Sequence, residues 1–545
     1  MNFLKTTKVS LLCAGLLLAN SFVGCSSDSS DNDSGEGTST TTSLDINLST
    51  NLQTMESFGA SDAWQCNFIG KNWPSEKRNK IADLLFSKEV DSDGNPKGIG
   101  LSLWRFNLGA GSSEQGDASD IGDEWRRTEC FTSDGVTYDM TKQAGQVWFM
   151  KAAKQRGTEK LLAFANSAPV YLTQNGKAYA SIKEFYNLKD GKMSELADFW
   201  VNSLSKLKSE HGLTIDYVSP FNEPQYEWDG TGQEGSPATN ANIYSLVSTL
   251  SPKLASSGID AQIVVGEAGA YEPLYKTVSG KESRSNQIDY FFGANSTKNI
   301  AGLSNVKKTI SAHSYWQAWP LSDLVSSRQS AATKIASANI SLWSSEYCVL
   351  ESPGTSELPG GSGNGRDLGM QLALWTARII STDIAVGGVT SWQWWTAISR
   401  GDYKDGLIHV DNGSSNGAGD ANYCKYDGYI RESKTLWALG NFSFFIKPGM
   451  IRVQIPSVNN AAAVNDVMVT AYKDESSKKL VVVAVNVNTA AKAYKLNLAG
   501  GTLVDNKLTP YTTSESSSLK KGADIDPTNF EIPAKSVVTY VGTYK

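Results

Sequence analysis

The chain has 545 residues, enough for one large domain plus a smaller one, and its formal charge of −6 with no Lys/Arg run excludes the basic face that a nucleic-acid partner requires. Three histidines and the absence of a paired Cys motif leave little from which to build a catalytic metal site, so neither a metal nor another cofactor is expected.

At the start, Lys5 and Lys8 precede the apolar run Val9 to Leu18, followed by Phe22-Val23-Gly24-Cys25. A run this short is the core of an export signal and not a membrane span. Small residues before a cysteine resemble a bacterial lipoprotein cleavage site, so residues 1–24 are read as a signal peptide and Cys25 as the lipidated first residue of the mature protein. That lipid would be its only membrane contact. Residues 25–43, rich in Ser, Asp, Gly and Thr, are too polar to fold and are predicted to be a disordered tether. Asp28, Asp31 and Asp33 are in keeping with export to the outer-membrane surface, so the expected location is extracytoplasmic.

From 54 to 444, eight short apolar runs alternate with segments of helical periodicity. The predicted strands are Met55 to Ala63, Ile99 to Leu108, Leu161 to Ser167, Tyr217 to Glu223, Ile263 to Glu267, Thr309 to Tyr315, Ser341 to Tyr347 and Val389 to Trp395. Between the third and fourth, Leu196, Phe199, Trp200, Leu204 and Leu207 form one apolar helical stripe. Eight strand-then-helix units predict an α/β fold, a (β/α)8 TIM barrel, with a doubly wound sheet as the alternative. After Gly449 the period changes to two, over Val467 to Tyr472, Lys479 to Asn486, Ala493 to Leu498 and Val537 to Val541. This predicts an antiparallel β-sandwich from residues 445–545, which residues 44–53 would complete from the other end of the chain. Cys66, Cys130, Cys348 and Cys424 form no disulfide framework by spacing and read as isolated thiols.

Catalysis in such barrels sits at the carboxyl ends of the strands. Those ends carry Asp62, Arg105 with Asn107, Asn166, Asn222 with Glu223, Glu267, His313 with Tyr315, Glu346, and Trp394 with Trp395. Singly, such residues are often caps or buried hydrogen-bonding groups; together they converge. The stretch Ser219-Pro220-Phe221-Asn222-Glu223-Pro224 stops a strand abruptly and presents a carboxyl group, and Trp343-Ser344-Ser345-Glu346 presents a second one. Cleaving an acetal needs a proton for the departing oxygen and a negative group beneath the anomeric carbon, which two carboxyls about 5 to 5.5 Å apart supply with retention of configuration. Asn222 is placed to hydrogen-bond a sugar hydroxyl, and Arg105 with Tyr315 to keep Glu346 ionised. Glu267 is a rival carboxylate with no such partner beside it in sequence. The fifteen tryptophans fill core, and some are expected to stack on sugar rings. Gly360-Gly361-Ser362-Gly363-Asn364-Gly365 lacks the Lys-Ser/Thr ending of a phosphate loop and reads as a loop over the cleft.

These residues resemble glycoside hydrolase family 30, a family of clan A retaining glycosidases. The resemblance rests on Asn222-Glu223-Pro224 and Glu346, on Ser57-Phe58-Gly59-Ala60-Ser61-Asp62-Ala63-Trp64, on Trp104-Arg105-Phe106-Asn107-Leu108-Gly109, on His313-Ser314-Tyr315-Trp316, and on Thr435-Leu436-Trp437-Ala438-Leu439-Gly440-Asn441-Phe442-Ser443. It implies Glu223 as acid/base and Glu346 as nucleophile, with Asp62, Trp64, Arg105, Asn107, Asn166, Asn222, His313, Tyr315 and Trp394 binding an oligo- or polysaccharide. Within the family, the Gly-Ala-Ser-Asp-Ala-Trp opening and the Arg-Phe-Asn-Leu-Gly-Ala-Gly-Ser run from Arg105 to Ser112 are most similar to the endo-β-1,6-galactanase-like branch, and less so to those acting on β-1,6-glucan, xylan or glucosylceramide. Where relatives often carry tandem prolines and a tryptophan, this chain has Ala168-Pro169-Val170-Tyr171. A non-catalytic glycan-binding lipoprotein and an adhesive surface protein are the alternatives from other classes.

Overall fold

Parallel strands need long crossovers, and the helical segments between the eight apolar runs provide them. In the computed structural model, which describes residues 41–181, 186–350, 358, 362–413 and 420–545, the chain enters through β1 (Thr42–Thr54) and then closes a parallel barrel. Its strands are β2 (Ser57–Ser61), β3 (Leu103–Asn107), β4 (Lys160–Phe164), β5 (Tyr217–Ser219), β6 (Gln262–Ala268), β7 (Val306–His313), β8 (Ser341–Glu346) and β9 (Ser391–Trp394). The signal peptide, Cys25 and nearly all of the tether fall outside the described residues, as do Gly360 and Gly361 of the glycine-rich loop.

All eight predicted runs are strands, most of them shorter than predicted. The difference that matters most to the site is β5, which ends at Ser219 because Pro220 has no N–H to extend the ladder, leaving Asn222 and Glu223 in the turn beyond it. The predicted stripe lies on the helix Met193–His211, where Leu196, Phe199, Trp200, Leu204 and Leu207 are all buried. Alternation along β9 fixes which residues line the barrel. Ser391 Oγ meets Ser57 Oγ of β2 at 2.7 Å inside, whereas Trp392 Nε1 donates outward to Asp383 of the helix Met370–Ala385.

Three short strands the sequence does not announce, β10 (Ile398–Ser399), β11 (Ile408–Asp411) and β12 (Tyr429–Glu432), form a small sheet after the barrel closes. The remaining strands are β13 (Ile451–Gln454), β14 (Val467–Asp474), β15 (Lys479–Asn486), β16 (Lys492–Ala499), β17 (Thr509–Ser514), β18 (Ser517–Lys521), β19 (Phe530–Ile532) and β20 (Ser536–Thr543). With β1 they make one nine-stranded sheet in the order β18-β17-β20-β15-β14-β13-β1-β16-β19. Every pair in it is antiparallel except β1 with β16. The two layers of the expected second domain are therefore the ends of one continuous sheet.

Both faces of its centre are covered, which explains why Leu480 to Val485 is apolar without interruption. Val481, Val483 and Val485 join the core shared with the barrel, while Leu480, Val482 and Ala484 pack with Leu44, Ile46 and Leu48 of β1. Asn441, on the helix Lys434–Ser443, ties the two halves by donating to Tyr511 O (2.9 Å) and Thr539 Oγ1 (3.0 Å). Cys66, Cys130, Cys348 and Cys424 are buried free thiols. Among the described residues no helix is long and apolar enough to cross a membrane.

Candidate active site

The ends of β3, β6, β7 and β8 and the turn after β5 deliver five ionisable side chains to one point at the mouth of the barrel. Glu223 is held by its backbone: its N–H donates to Glu267 O (2.8 Å) and its carbonyl accepts from Trp228 Nε1 (3.1 Å). These bonds fix it at φ 42°, in the left-handed region that costs a non-glycine residue about 1–2 kcal/mol. On β8, an irregular register between Ser344 and Glu346 brings Glu346 directly opposite His313 of β7. Arg105 Nη1 donates to Glu346 Oε2 (2.5 Å) and the Tyr315 hydroxyl to Oε1 (2.9 Å).

Facing oxygens of Glu223 and Glu346, and a ring nitrogen of His313, all lie within 4.8 Å of one another. This is the spacing of a carboxyl pair that works with retention. The same three groups are the one cluster among the described residues compact enough to hold a cation. Arg105 and His313 already supply its positive charge.

Glu267, the rival carboxylate, sits beneath the pair as a hub. A bulge in β6 and φ 49° turn its side chain inward, where Oε2 accepts from Arg105 Nη2 (3.1 Å), His313 Nε2 (3.0 Å) and Ser345 Oγ (3.0 Å), and Oε1 from Ser311 Oγ (3.0 Å). His313 spans the site, its other nitrogen, Nδ1, donating to Glu223 Oε1 (2.9 Å). Asn222 Oδ1 accepts from Arg105 Nη2 (3.1 Å), which leaves its amide nitrogen as the donor for a ligand.

Environment separates these carboxyls. Burial pushes Glu223 above the usual carboxylate range, and the His313 bond opposes this only in part. Glu267 is equally buried, yet the Arg105 charge and the His313 and Ser311 bonds hold it down at about 2. Burial resists the proton on His313, but Glu346, Glu223 and Glu267 around it raise its pKa to about 10. Burial thus favours the proton on Glu223, while Glu267, His313 and Arg105 are held in their charged forms.

Glu267 is thus positioned to keep His313 charged. In Glu267→Gln the imidazole should lose its proton more readily and stop holding Glu223 down, so the Glu223 carboxyl should titrate at higher pH. The check is the carboxyl carbon shift of Glu223 followed against pH by NMR, beside a thermal melt. An unmoved Glu223 titration in a folded protein would contradict the assignment.

The other sequence-predicted residues divide by strand parity. Asn107 and Asn166 share the inward face with Arg105 and Phe164, whose ring lies 3.7 Å from the guanidinium, and both keep their buried side-chain amides without a protein partner. Buried polar atoms of this kind call for a ligand or water. Trp64 is buried edge-on to Trp395 (5.0 Å, 90°), with its indole nitrogen also unpartnered. Two residues point away. Asp62 is fully buried behind the barrel wall, accepting from Asn107 N (2.8 Å) and Gln146 Nε2 (3.3 Å), and burial raises it to about 7. Trp394 shares the outward face of β9 with Trp392 and donates to Asp405 O (2.7 Å), so it is a core group and not a substrate contact. Its neighbour Trp395 stands inward, 5.8 Å from the Arg105 guanidinium. Counting by two from Ser391 identifies it.

The family model for O-glycosyl hydrolase family 30 matches residues 41–409. A solved structure of a conserved exported protein from Bacteroides fragilis is 35% identical, with a TM-score of 0.84 over 92% of this chain and 100% of that one. The catalytic domain of a xylanase C of glycoside hydrolase family 30 from Talaromyces cellulolyticus shares the fold at 21% identity, with a TM-score of 0.64 over 92% of this chain and 100% of that one. Among curated proteins, a glucuronoxylanase of Bacillus subtilis (strain 168) is 31% identical over 121 residues, 22% of this chain, and the match spans only 26% of that relative's length.

Proposed function

Because the chain belongs to O-glycosyl hydrolase family 30, we propose that it cleaves a β-linked polysaccharide by double displacement, with Glu346 as nucleophile and Glu223 as acid/base. The carrying observation is the pair of carboxyls within 4.8 Å in unlike surroundings, one raised by burial and the other bonded to Arg105 and Tyr315. Glu346 attacks the anomeric carbon while Glu223 gives its proton to the departing oxygen. Glu223, now a carboxylate, then takes a proton from a water whose oxygen attacks the anomeric carbon and displaces the Glu346 carboxylate, which releases the sugar with its configuration retained. The Asn222 amide nitrogen donates to a hydroxyl of the reacting sugar, and Asn107, Asn166, Trp64 and Trp395 complete its surroundings.

The substrate we favour is β-1,6-galactan, on the motif resemblance at Gly59 to Trp64 and Arg105 to Ser112. Xylan is the second reading, favoured by the partial identity with the Bacillus subtilis glucuronoxylanase. Tyr171, in the segment that departs from the family pattern, lines a cavity of about 510 Å³ with Gly111, Glu114, Cys130 and Lys142, in keeping with a sugar subsite of altered shape. We further propose that the protein is exported and lipid-anchored through Cys25. The N-terminal sequence supports this, as does the likeness to an exported protein of Bacteroides fragilis.

Incubation with β-1,6-galactan, β-1,6-glucan, xylan and arabinogalactan, followed by sizing of the products, tests the assignment. Galactan should be shortened fastest; faster cleavage of xylan would move the substrate, and cleavage of none would favour a glycan-binding lipoprotein.

A further inference from the structure

The turn after β5 and the loop after β7 set the rings of Tyr226 and Trp316 parallel to within 4°, with centroids 6.2 Å apart and each residue 45% exposed. Trp316 holds φ 57°, a conformation that bulky residues rarely adopt and that costs about 1–2 kcal/mol. Because its ring stays half in solvent, core packing does not account for that strain, and strain of this kind collects at ligand sites.

Both rings are tied to the reacting groups. Trp228 packs on Tyr226 (4.8 Å) and donates its indole N–H to Glu223 O (3.1 Å). Tyr315 packs on Trp316 (5.6 Å) and donates to Glu346 (2.9 Å). A methyl group on Gly269 would meet Trp316 Cζ3 at 2.9 Å and Glu223 Oε1 at 3.1 Å, so ring and carboxyl abut the same glycine.

We propose that Tyr226 and Trp316 form the subsite for the sugar on the leaving-group side of the scissile bond, taking the C–H face of a neutral pyranose against their exposed faces. This rests on Glu223 being the acid. The oxygen it protonates belongs to the departing sugar, so that sugar lies on the Glu223 side, where the platform is, while the carbon under attack lies over Glu346. A held leaving-group sugar also places an acceptor sugar where it can take the glycosyl group in place of water.

The test compares Trp316→Ala and Tyr226→Ala with the unsubstituted enzyme on two substrates. One is whichever polysaccharide of the panel it cleaves fastest; the other is the fluoride of the disaccharide that substrate releases, whose leaving group carries no ring. Each variant should lose about 10-fold or more in kcat/KM on the polysaccharide, keep fluoride hydrolysis within about twofold and form less transfer product, with Trp316→Phe largely restored. Equal losses on both substrates, or no loss on the polysaccharide, would overturn the subsite while leaving the glycosidase reading intact. An unsubstituted enzyme that turns over neither substrate would overturn both.

Discussion

Replacing Glu346 by alanine is expected to lower kcat by roughly 10⁴-fold or more on every glycan the enzyme accepts, with little change in folding. The loss should be large because in the proposed double displacement this carboxylate forms the bond that divides the reaction into two steps. Glu267 is occupied by Arg105, His313, Ser345 and Ser311, and Glu223 is the proposed acid. Folding should survive because Glu346 is at a strand end, and its removal leaves Arg105 still paired with Glu267. Steady-state rates and a thermal melt on the same preparation check this. Turnover near that of the unsubstituted protein would remove Glu346 from the mechanism.

Glu223→Ala is expected to show a loss that depends on the leaving group. A natural glycan, whose departing alkoxide needs a proton, should react about 10² to 10⁴ times more slowly. A dinitrophenyl glycoside needs no such help in the first step, so its glycosyl-enzyme should form at nearly the original rate and then accumulate, since water lacks its base. Azide should relieve that block by attacking without a base. The alkaline limb of the kcat/KM profile should disappear on the activated substrate, because the group whose deprotonation ends activity is gone. The sign follows from burial: as the proposed acid, Glu223 would work in its protonated form, which burial favours, so activity should fall as pH rises through its elevated pKa. Comparable losses on both substrates would contradict the acid/base role.

The barrel was legible because each strand is a short apolar run bounded by a polar exit, and the pair Glu223 and Glu346 because Pro220 and Pro224 punctuate one exit and Tyr347 closes the other. Helical periodicity marked the stripe Leu196 to Leu207, which lies within the helix Met193–His211. Less legible were features that depend on broken periodicity. Glu267 looked solitary since its partners Arg105, His313 and Ser345 come from three other strands, and a bulge aims it at them. Trp394 and Trp395 look alike in sequence, as adjacent aromatics at a strand end do until parity is counted from Ser391. In the second domain, β17 and β18 are polar and partly exposed, so they carry no apolar alternation, whereas β1 could be read because Leu44, Ile46 and Leu48 alternate cleanly into a core. The aromatic platform was not legible as a pair: Trp316 stands in a motif the sequence marks, but Tyr226 is ninety residues away (316 − 226) and meets it only through the barrel.

The most direct measurement is the anomeric configuration of the first sugar released, followed by proton NMR in the opening minutes of hydrolysis before mutarotation. Carboxyl oxygens of Glu223 and Glu346 within 4.8 Å of each other match the closely spaced pair of a double displacement, so the β anomer should appear first and the α anomer only later. Initial release of the α anomer would mean a single displacement by water, and the roles given to Glu223 and Glu346 would be wrong.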